Sequence, residues 1–353
     1  MTTGPVRPAM VAVLCAGLAQ FACEGARNGG NPVAPSPGPA APPSAPLLTP
    51  LTAEFTALPI DLAAIDYINP LGHMTVNFNA LPQARIYMAL RDPATPYPVM
   101  APAAGTVSWV LGPKPDFRLE VEVSPTVKYF VDHVTLEPGI ALGTRVEAGQ
   151  RIAAHSGLTC CLDFGVLNTA FTASYIKPRR YSPQVMNADA PLKFFAEPLR
   201  SRLYSKVSRV SDGLDGRHDY DRPARLVGNW FLEGTPEDGS LLPEHWSKQL
   251  AFAYSNTHPS TILVSIAGSL AIVNLCAVQD GAPDPADVNV ASGVVTYRLF
   301  QKLPAVSEGN GRGNALGVLL VQMLDENRIR VEAFPGNPSA TVSFTQNAKI
   351  YTR

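Results

Sequence analysis

From residue 52 onward the chain alternates short apolar stretches with turn residues. β-rich runs fall at Met74–Phe78, Arg85–Leu90, Gly105–Leu111, Arg118–Val123, Lys128–Val134, Gly149–Ala154 and Leu162–Leu167, and Gly, Pro, Asn or Asp fills most of the gaps. Many short strands without long helical periods predict an antiparallel sandwich or barrel. Residues 168 to about 240 are less regular, with a short helix predicted within Ala190–Leu203. A second set of runs follows at Gln249–Tyr254, Thr261–Ile266, Leu270–Val278, Gly293–Leu299, Leu316–Leu324, Arg328–Phe334 and Thr341–Tyr351. Arg328-Ile-Arg-Val-Glu-Ala-Phe334 alternates polar and apolar residues, as a sheet with one wet face does. These seven runs predict a small sandwich or meander barrel as a separate unit. Gly228-Asn-Trp-Phe231 opens it, and Trp230 with Phe231 reads as a buried anchor.

The first fifty residues follow a different logic. Arg7 precedes an apolar run from Ala9 to Ala22, a length that suits an export signal and is short for a membrane span. The run ends at Cys23 behind the small residue Ala22, which resembles a lipoprotein processing site. The expectation is a lipid anchor on Cys23, a plain secretory signal being the alternative. Residues 24–51 are dense in Pro, Ala and Gly, lack an apolar period and read as a semi-extended spacer. The predicted organisation is therefore a leader over 1–23, a linker over 24–51, one β unit over 52–190, a connecting segment over 191–225 and a second β unit over 226–353.

Composition narrows the function. With 28 Lys+Arg against 29 Asp+Glu the chain has a formal net charge of -1, and no basic footprint for nucleic acid. Hydrophobic residues make up 46%, enough for a sizeable core. Five cysteines are present. If Cys15 leaves with the leader and Cys23 carries lipid, Cys160, Cys161 and Cys276 remain, an odd number. Adjacent cysteines are poor disulfide partners, so either a bridge to Cys276 or three buried thiols is expected, and the pairing stays open. Gly-x-Ser-x-Gly and P-loop signatures are absent, and Gly309-Asn-Gly-Arg-Gly313 reads as a hairpin loop without βαβ context. His218 lies in the acidic stretch Asp212–Asp221, which lacks EF-hand spacing and reads as a solvated loop.

Four pieces in order carry a family resemblance: Val99-Met-Ala-Pro-Ala-Ala-Gly-Thr-Val107, Tyr129-Phe-Val-Asp-His-Val134, Gly143-Thr-Arg-Val-Glu-Ala-Gly-Gln-Arg-Ile152 with Ser156-Gly157, and Cys161-Leu-Asp-Phe-Gly-Val166. The set resembles the LytM/lysostaphin-type (duplicated hybrid motif) peptidoglycan metallopeptidases, whose parts read V-x-A-P-x-x-G-x-V, Y-x-H, G-x-x-V-x-x-G-Q-x-I-x-x-x-G and H-x-H-F. The resemblance implies a duplicated-hybrid-motif β-sandwich, so the fold class expected is mostly β, with a smaller antiparallel β domain behind it.

It also implies a zinc ion held by two His and one Asp, with an open position for the attacking water. Here most of those ligands are replaced. The upstream segment Pro70-Leu-Gly-His-Met-Thr-Val-Asn-Phe-Asn-Ala-Leu-Pro-Gln-Ala-Arg puts Asn79, Ala84 and Arg85 where ligands belong, and the last strand offers Cys161 and Asp163. His133 and His73 survive as residual catalytic candidates. Asp163, His133 and His73 are the candidate metal set, with Cys161 a further donor to a soft metal. The bland reading of Asp163 is a carboxylate satisfied by backbone groups at a strand end. Asp132 and His133 are expected on opposite faces of their strand, since alternate residues alternate faces. Two functions follow. One is a non-catalytic envelope lipoprotein at peptidoglycan or an envelope partner, with no cofactor. The other is an active zinc endopeptidase with atypical ligands. Export to the periplasm or outer membrane, or secretion, is the expected location.

Overall fold

In this computed structural model, residues 53–75, 80–239, 243–303 and 311–353 are described. The leader, the linker, Cys23, Asn79 and most of the glycine-rich loop before Gly311 lie outside them. The protein is mostly β, as the run pattern predicts. The first sheet is built from β1 (Ile65–Asn69), β2 (Ile86–Leu90), β3 (Pro98–Met100), β4 (Gly105–Leu111), β5 (Phe117–Glu122), β6 (Val127–Leu136), β7 (Arg145–Val146), β8 (Arg151–His155), β9 (Cys161–Asn168) and β10 (Ala188–Asp189). The path through hydrogen-bonded neighbours is β1-β2-β9-β6-β5-β4-β7, with β10 beside β9, β8 beside β6, and β3 on β8.

β6 carries the turn of the sheet. Its first half pairs with β9 from Val127↔Asn168 to Asp132↔Asp163, and its second half pairs with β8 from Val134↔His155 to Leu136↔Ala153. His133 stands at the changeover with a φ of 67°. The β3–β8 flap thereby folds back over the main sheet. Val99, Ile152 and Ala153 meet Ile86, Met88, Val131, Leu162 and Phe164 in one apolar core. The other face of β2 and β9 carries Tyr87, Ala89, Cys161 and Asp163, because side chains alternate.

The second sheet is the meander barrel of the two alternatives the sequence offers, closed by eight strands where seven runs are read. β11 (Gly228–Leu232), β12 (Gln249–Tyr254), β13 (Ile262–Ile266), β14 (Asn274–Val278), β15 (Val294–Lys302), β16 (Arg312–Asp325), β17 (Arg328–Pro335) and β18 (Lys349–Thr352) each pair antiparallel with the next. β18 returns to β11 through Phe231↔Thr352 and Leu232↔Tyr351, so no edge stays open. The stretch Gly228-Asn-Trp-Phe231 is the eighth strand. Trp230 is buried in the barrel core with Phe252, Ile266, Tyr297 and Met323. Its indole donates to the Leu226 carbonyl at 2.7 Å and carries the Arg353 guanidinium over its ring.

The two sheets pack through a third apolar cluster. Ala251, Ala253, Leu263 and Ala277 on the outside of the barrel meet Met74, Leu81, Tyr175 and Tyr181. The acidic stretch before the barrel is not a solvated loop. The Asp221 carboxylate accepts from the backbone N–H groups of Asn229 (2.8 Å) and Ile176 (3.1 Å), and Asp219 accepts from Ser174 (2.8 Å). A Cβ at Gly228 would stand 2.2 Å from the Asp221 carboxylate, so glycine is what lets the carboxylate reach. Buried polar groups need such partners, and Asp221 thereby ties the connecting segment to the first barrel strand. His218 is buried too, bridging the Tyr175 hydroxyl (2.9 Å) and the Ala188 carbonyl (3.1 Å).

Some sequence expectations shift. Met74 and Thr75 lie outside any strand, and residues 76–78 of that run are not described. The helix predicted in Ala190–Leu203 splits into a 3-10 turn at Pro191–Phe194 and a helix, α1, at Leu199–Tyr204. Cys160 and Cys161 form a vicinal disulfide, and Cys276 is a free, buried thiol in the barrel core, so neither bridge to Cys276 exists. No helix among the described residues is long and apolar enough to cross a membrane.

Candidate functional site

The outer face of β2, β9, β6 and β5 carries a row of charged side chains that includes the candidate residues Asp163 and His133. At its centre is Asp163, 2% exposed and in register with Tyr87 on one side and Asp132 on the other. Its carboxylate is not satisfied by backbone at a strand end. Oδ2 accepts from Arg85 Nε at 2.8 Å, across 78 residues of sequence, and His133 Nε2 stands 3.7 Å away. Arg85, which the motif comparison marks only as a lost ligand, thus supplies the positive charge facing the buried carboxylate. A buried carboxylate without a countercharge would be expensive.

The electrostatics follow from burial. Burial pushes the Asp163 carboxyl up to about 6, against the pull of Arg85 and His133 and with the push of Asp132. Arg85 is held firmly charged by Asp163 despite its own burial, which alone would work the other way. Arg118 continues the row. It bonds Glu120 (3.1 Å) and Asp132 (3.2 Å) and lies flat on the Phe130 ring, 3.6 Å from its centre. Phe130 lies this low because its register partner on β9 is Gly165, where a Cβ would sit 2.2 Å from the ring.

His133 and Asp132 do not diverge as strict alternation predicts. The left-handed backbone at His133 interrupts the two-residue period, and both groups act on Asp163. The His133 Nδ1 is 3.2 Å from the Asp116 carboxylate, a partner that no sequence motif marks. His73 packs against Tyr87, ring centres 5.0 Å apart, and burial together with the Arg85 and Lys302 charges lowers it to about 4. Cys161 shares the face with Tyr87 and Ala89, its sulfur engaged with Cys160. Ala84 and Arg85 line a cleft against the barrel.

The structure thus brings His133 and Asp163 together, adds Arg85 and Asp116, and leaves His73 against Tyr87. Among the described residues no group of three His, Cys, Asp or Glu side chains is disposed to hold a metal ion. The donor set does not fit zinc. Among the described residues the candidate donors that converge are His133 and Asp163, and that carboxylate already faces a guanidinium whose charge would repel a second cation.

No family model matches the chain, and no curated protein matches it. Structural similarity is found to Helicobacter pylori Csd3 (14% identity, TM-score 0.30, covering 41% of this chain and 35% of that one). It is also found to a chain of the SpoIIQ–SpoIIIAH pore-forming complex (16%, TM-score 0.31, covering 42% and 95%). A third is a mutant form of the catalytic domain of the prophage-encoded M23 protein EnpA from Enterococcus faecalis (15%, TM-score 0.23, covering 33% and 87%). The chain spans about a third of the Csd3 chain. The overlaps are partial, and the functional reading rests on the residues described above.

Proposed function

We propose that the chain is a non-catalytic, peptidase-like lipoprotein of the cell envelope that binds or scaffolds at peptidoglycan. The observation that carries this reading is the Arg85–Asp163 pair at 2.8 Å in the place of a metal centre. Hydrolysis of an amide by this family's chemistry needs a cation with an open coordination position and a water it can activate. A guanidinium has no such position and does not give up a proton at neutral pH. Asp163 and His133 then hold the groove in shape and do no acid–base work on a substrate. The barrel adds to the case by packing against the segment around Tyr175 and Tyr181, beside this face. Export and a lipid on Cys23, followed by the Pro-rich spacer, would present both β units in the envelope.

The alternative is a zinc endopeptidase using His73, His133 and Asp163. The test separates the two. Purified protein is incubated with isolated murein sacculi, with and without added zinc and chelator. The expected result is co-sedimentation with sacculi and no release of soluble muropeptides under any condition. Cleavage that disappears on chelation would replace this reading with the alternative. Incorporation of labelled palmitate that is lost in Cys23→Ala tests the anchor separately.

A further inference from the structure

A cleft of about 220 Å³ lies where the connecting segment before the barrel meets the end of β12, and three arginines converge on it. Arg209, Arg217 and Arg222 line it together with Tyr220 and Tyr254, and no carboxylate is among its described lining residues. Of the three arginines, only Arg217 has an ion-pair partner among the described residues, Asp219 at 3.0 Å. Arg209 is held by neutral groups instead. Its Nε donates to the Asp212 carbonyl at 3.3 Å and its Nη1 to the Asn256 carbonyl at 2.6 Å. Asp284 accepts from the Tyr254 hydroxyl and from the Ala286 N–H and does not line the cleft.

The walls are fixed in place. The Val210 N–H donates to the Thr257 carbonyl at 3.0 Å, which with the Arg209 bond to Asn256 ties the segment to the β12–β13 turn. Tyr220 is buried, and its ring stands 5.7 Å from that of Tyr254, giving the cleft an aromatic floor. Burial raises the Tyr220 phenol, while Arg209 and Arg217 both pull against that rise. The Tyr254 phenol is raised by burial and by its bond to Asp284, with Arg222 pulling the other way. Both rings therefore feel the guanidinium charges. Each guanidinium carries five N–H donors, more than the bonds named here use. Like charges gathered around one open space repel each other, and an anion between them relieves that repulsion.

We propose that this cleft binds the phosphate group of a phosphate monoester, with the organic part of the ester lying on Tyr220 and Tyr254. Asp219 offsets one of the three guanidiniums, which leaves two positive charges in excess. A phosphate monoester at neutral pH carries about −1.5 to −2 and matches that excess better than a single carboxylate does. The forked guanidinium also suits a phosphate oxygen pair in geometry. The chemistry is shared by a free phosphate ester and by a lipid headgroup. The site does not rest on the peptidoglycan reading, and it would hold equally if the murein test failed.

The experiment is calorimetric titration of the full folded chain at low ionic strength, with thermal unfolding alongside. Inorganic phosphate, methyl phosphate and phenyl phosphate represent the free source, and acetate and benzoate are the carboxylate controls. Sedimentation with phosphatidylcholine vesicles, with and without phosphatidic acid, represents the lipid source. A soluble phosphate should bind one-to-one with a Kd below about 1 mM and raise the unfolding temperature at saturation, or phosphatidic acid should increase sedimentation at least about tenfold in apparent affinity. Binding by soluble phosphates identifies the free source, and binding by phosphatidic acid alone identifies the lipid source. The carboxylates should bind at least about tenfold more weakly. Arg222→Glu, a charge reversal on an exposed residue, should weaken the binding seen at least about tenfold. Arg217→Gln, exposed as well, should weaken it in the same sense even if the reversal disturbs folding. Arg151→Gln, on an exposed residue of β8, should leave it unchanged. No binding by any soluble phosphate at about 10 mM together with no preference for phosphatidic acid, equal binding by the carboxylates, or full affinity in both Arg222→Glu and Arg217→Gln would overturn the proposal. An equal loss in Arg151→Gln would overturn it too, since the binding would then follow overall charge.

Discussion

The barrel and the first sheet bury different chemistry. Inside the barrel the buried cluster is apolar from Leu226 to Tyr351, and each strand meets its sequence neighbour. The first sheet has an equally apolar inner face, but its outer face buries Glu120 and Asp163 and half-buries Arg85, Arg118 and Asp132. Apolar burial stabilises almost any well-packed arrangement, whereas a buried ion pair barely repays its desolvation and is costly when broken. The barrel should therefore tolerate volume-conserving changes, and the charged face should tolerate only paired ones.

The largest effect expected is in the barrel. Trp230→Ala removes a fully buried side chain, its bond to Leu226 and the surface under Arg353, and should cost about 3–5 kcal/mol in denaturant unfolding. A loss under about 1 kcal/mol would mean that the barrel core is looser than described.

On the charged face the expected pattern is different. Arg85→Ala leaves Asp163 buried with no guanidinium and should cost about 3 kcal/mol. Arg85→Met combined with Asp163→Leu should recover most of that loss, which a double-mutant cycle would report as a large coupling. Additive effects would show that the two groups do not share one ion pair.

Acid separates two groups on the same face with opposite signs. Asp163 is raised from 3.8 to about 6, so the native state holds its proton more tightly than the unfolded chain between those values. Relative to Asp163→Asn, stability should fall as pH rises from about 4 to about 6. His73 is lowered from 6.5 to about 4, so the unfolded chain binds the extra proton. Relative to His73→Phe, stability should rise as pH rises through that interval. Matched slopes in both variants would contradict the burial that drives each shift.

The smallest effect is expected at the exposed pair Arg151–Glu137, 2.7 Å apart with the arginine half exposed. Arg151→Ala should change stability by less than about 0.5 kcal/mol, and less again in high salt.

Much of the fold was legible because period and turn residues are local. Gln249–Tyr254 is strand β12 as the run predicts, and Arg328–Phe334 differs from β17 by one residue. β1 was missed because Ile65-Asp-Tyr-Ile-Asn69 is short and runs into Pro70, and β3 is three residues long. Barrel closure was not legible, since it depends on pairing between strands more than a hundred residues apart. The site was legible only in part. His133 and Asp163 stand out by motif position, but Arg85 reads there as a missing ligand. Its partnership with Asp163 exists only once β2 and β9 pair in the Tyr87↔Asp163 register. Asp116 carries no motif, and the left-handed turn at His133 that brings it near has no sequence mark, because a histidine at positive φ is uncommon.

The most direct test of the proposal that Arg85 stands where a metal would is metal analysis of the chain purified with zinc present throughout, then dialysed. The Arg85–Asp163 pair predicts far less than one zinc per chain and no zinc-dependent rise in unfolding temperature. One tightly held zinc per chain, released only by chelator and accompanied by loss of stability, would contradict the account.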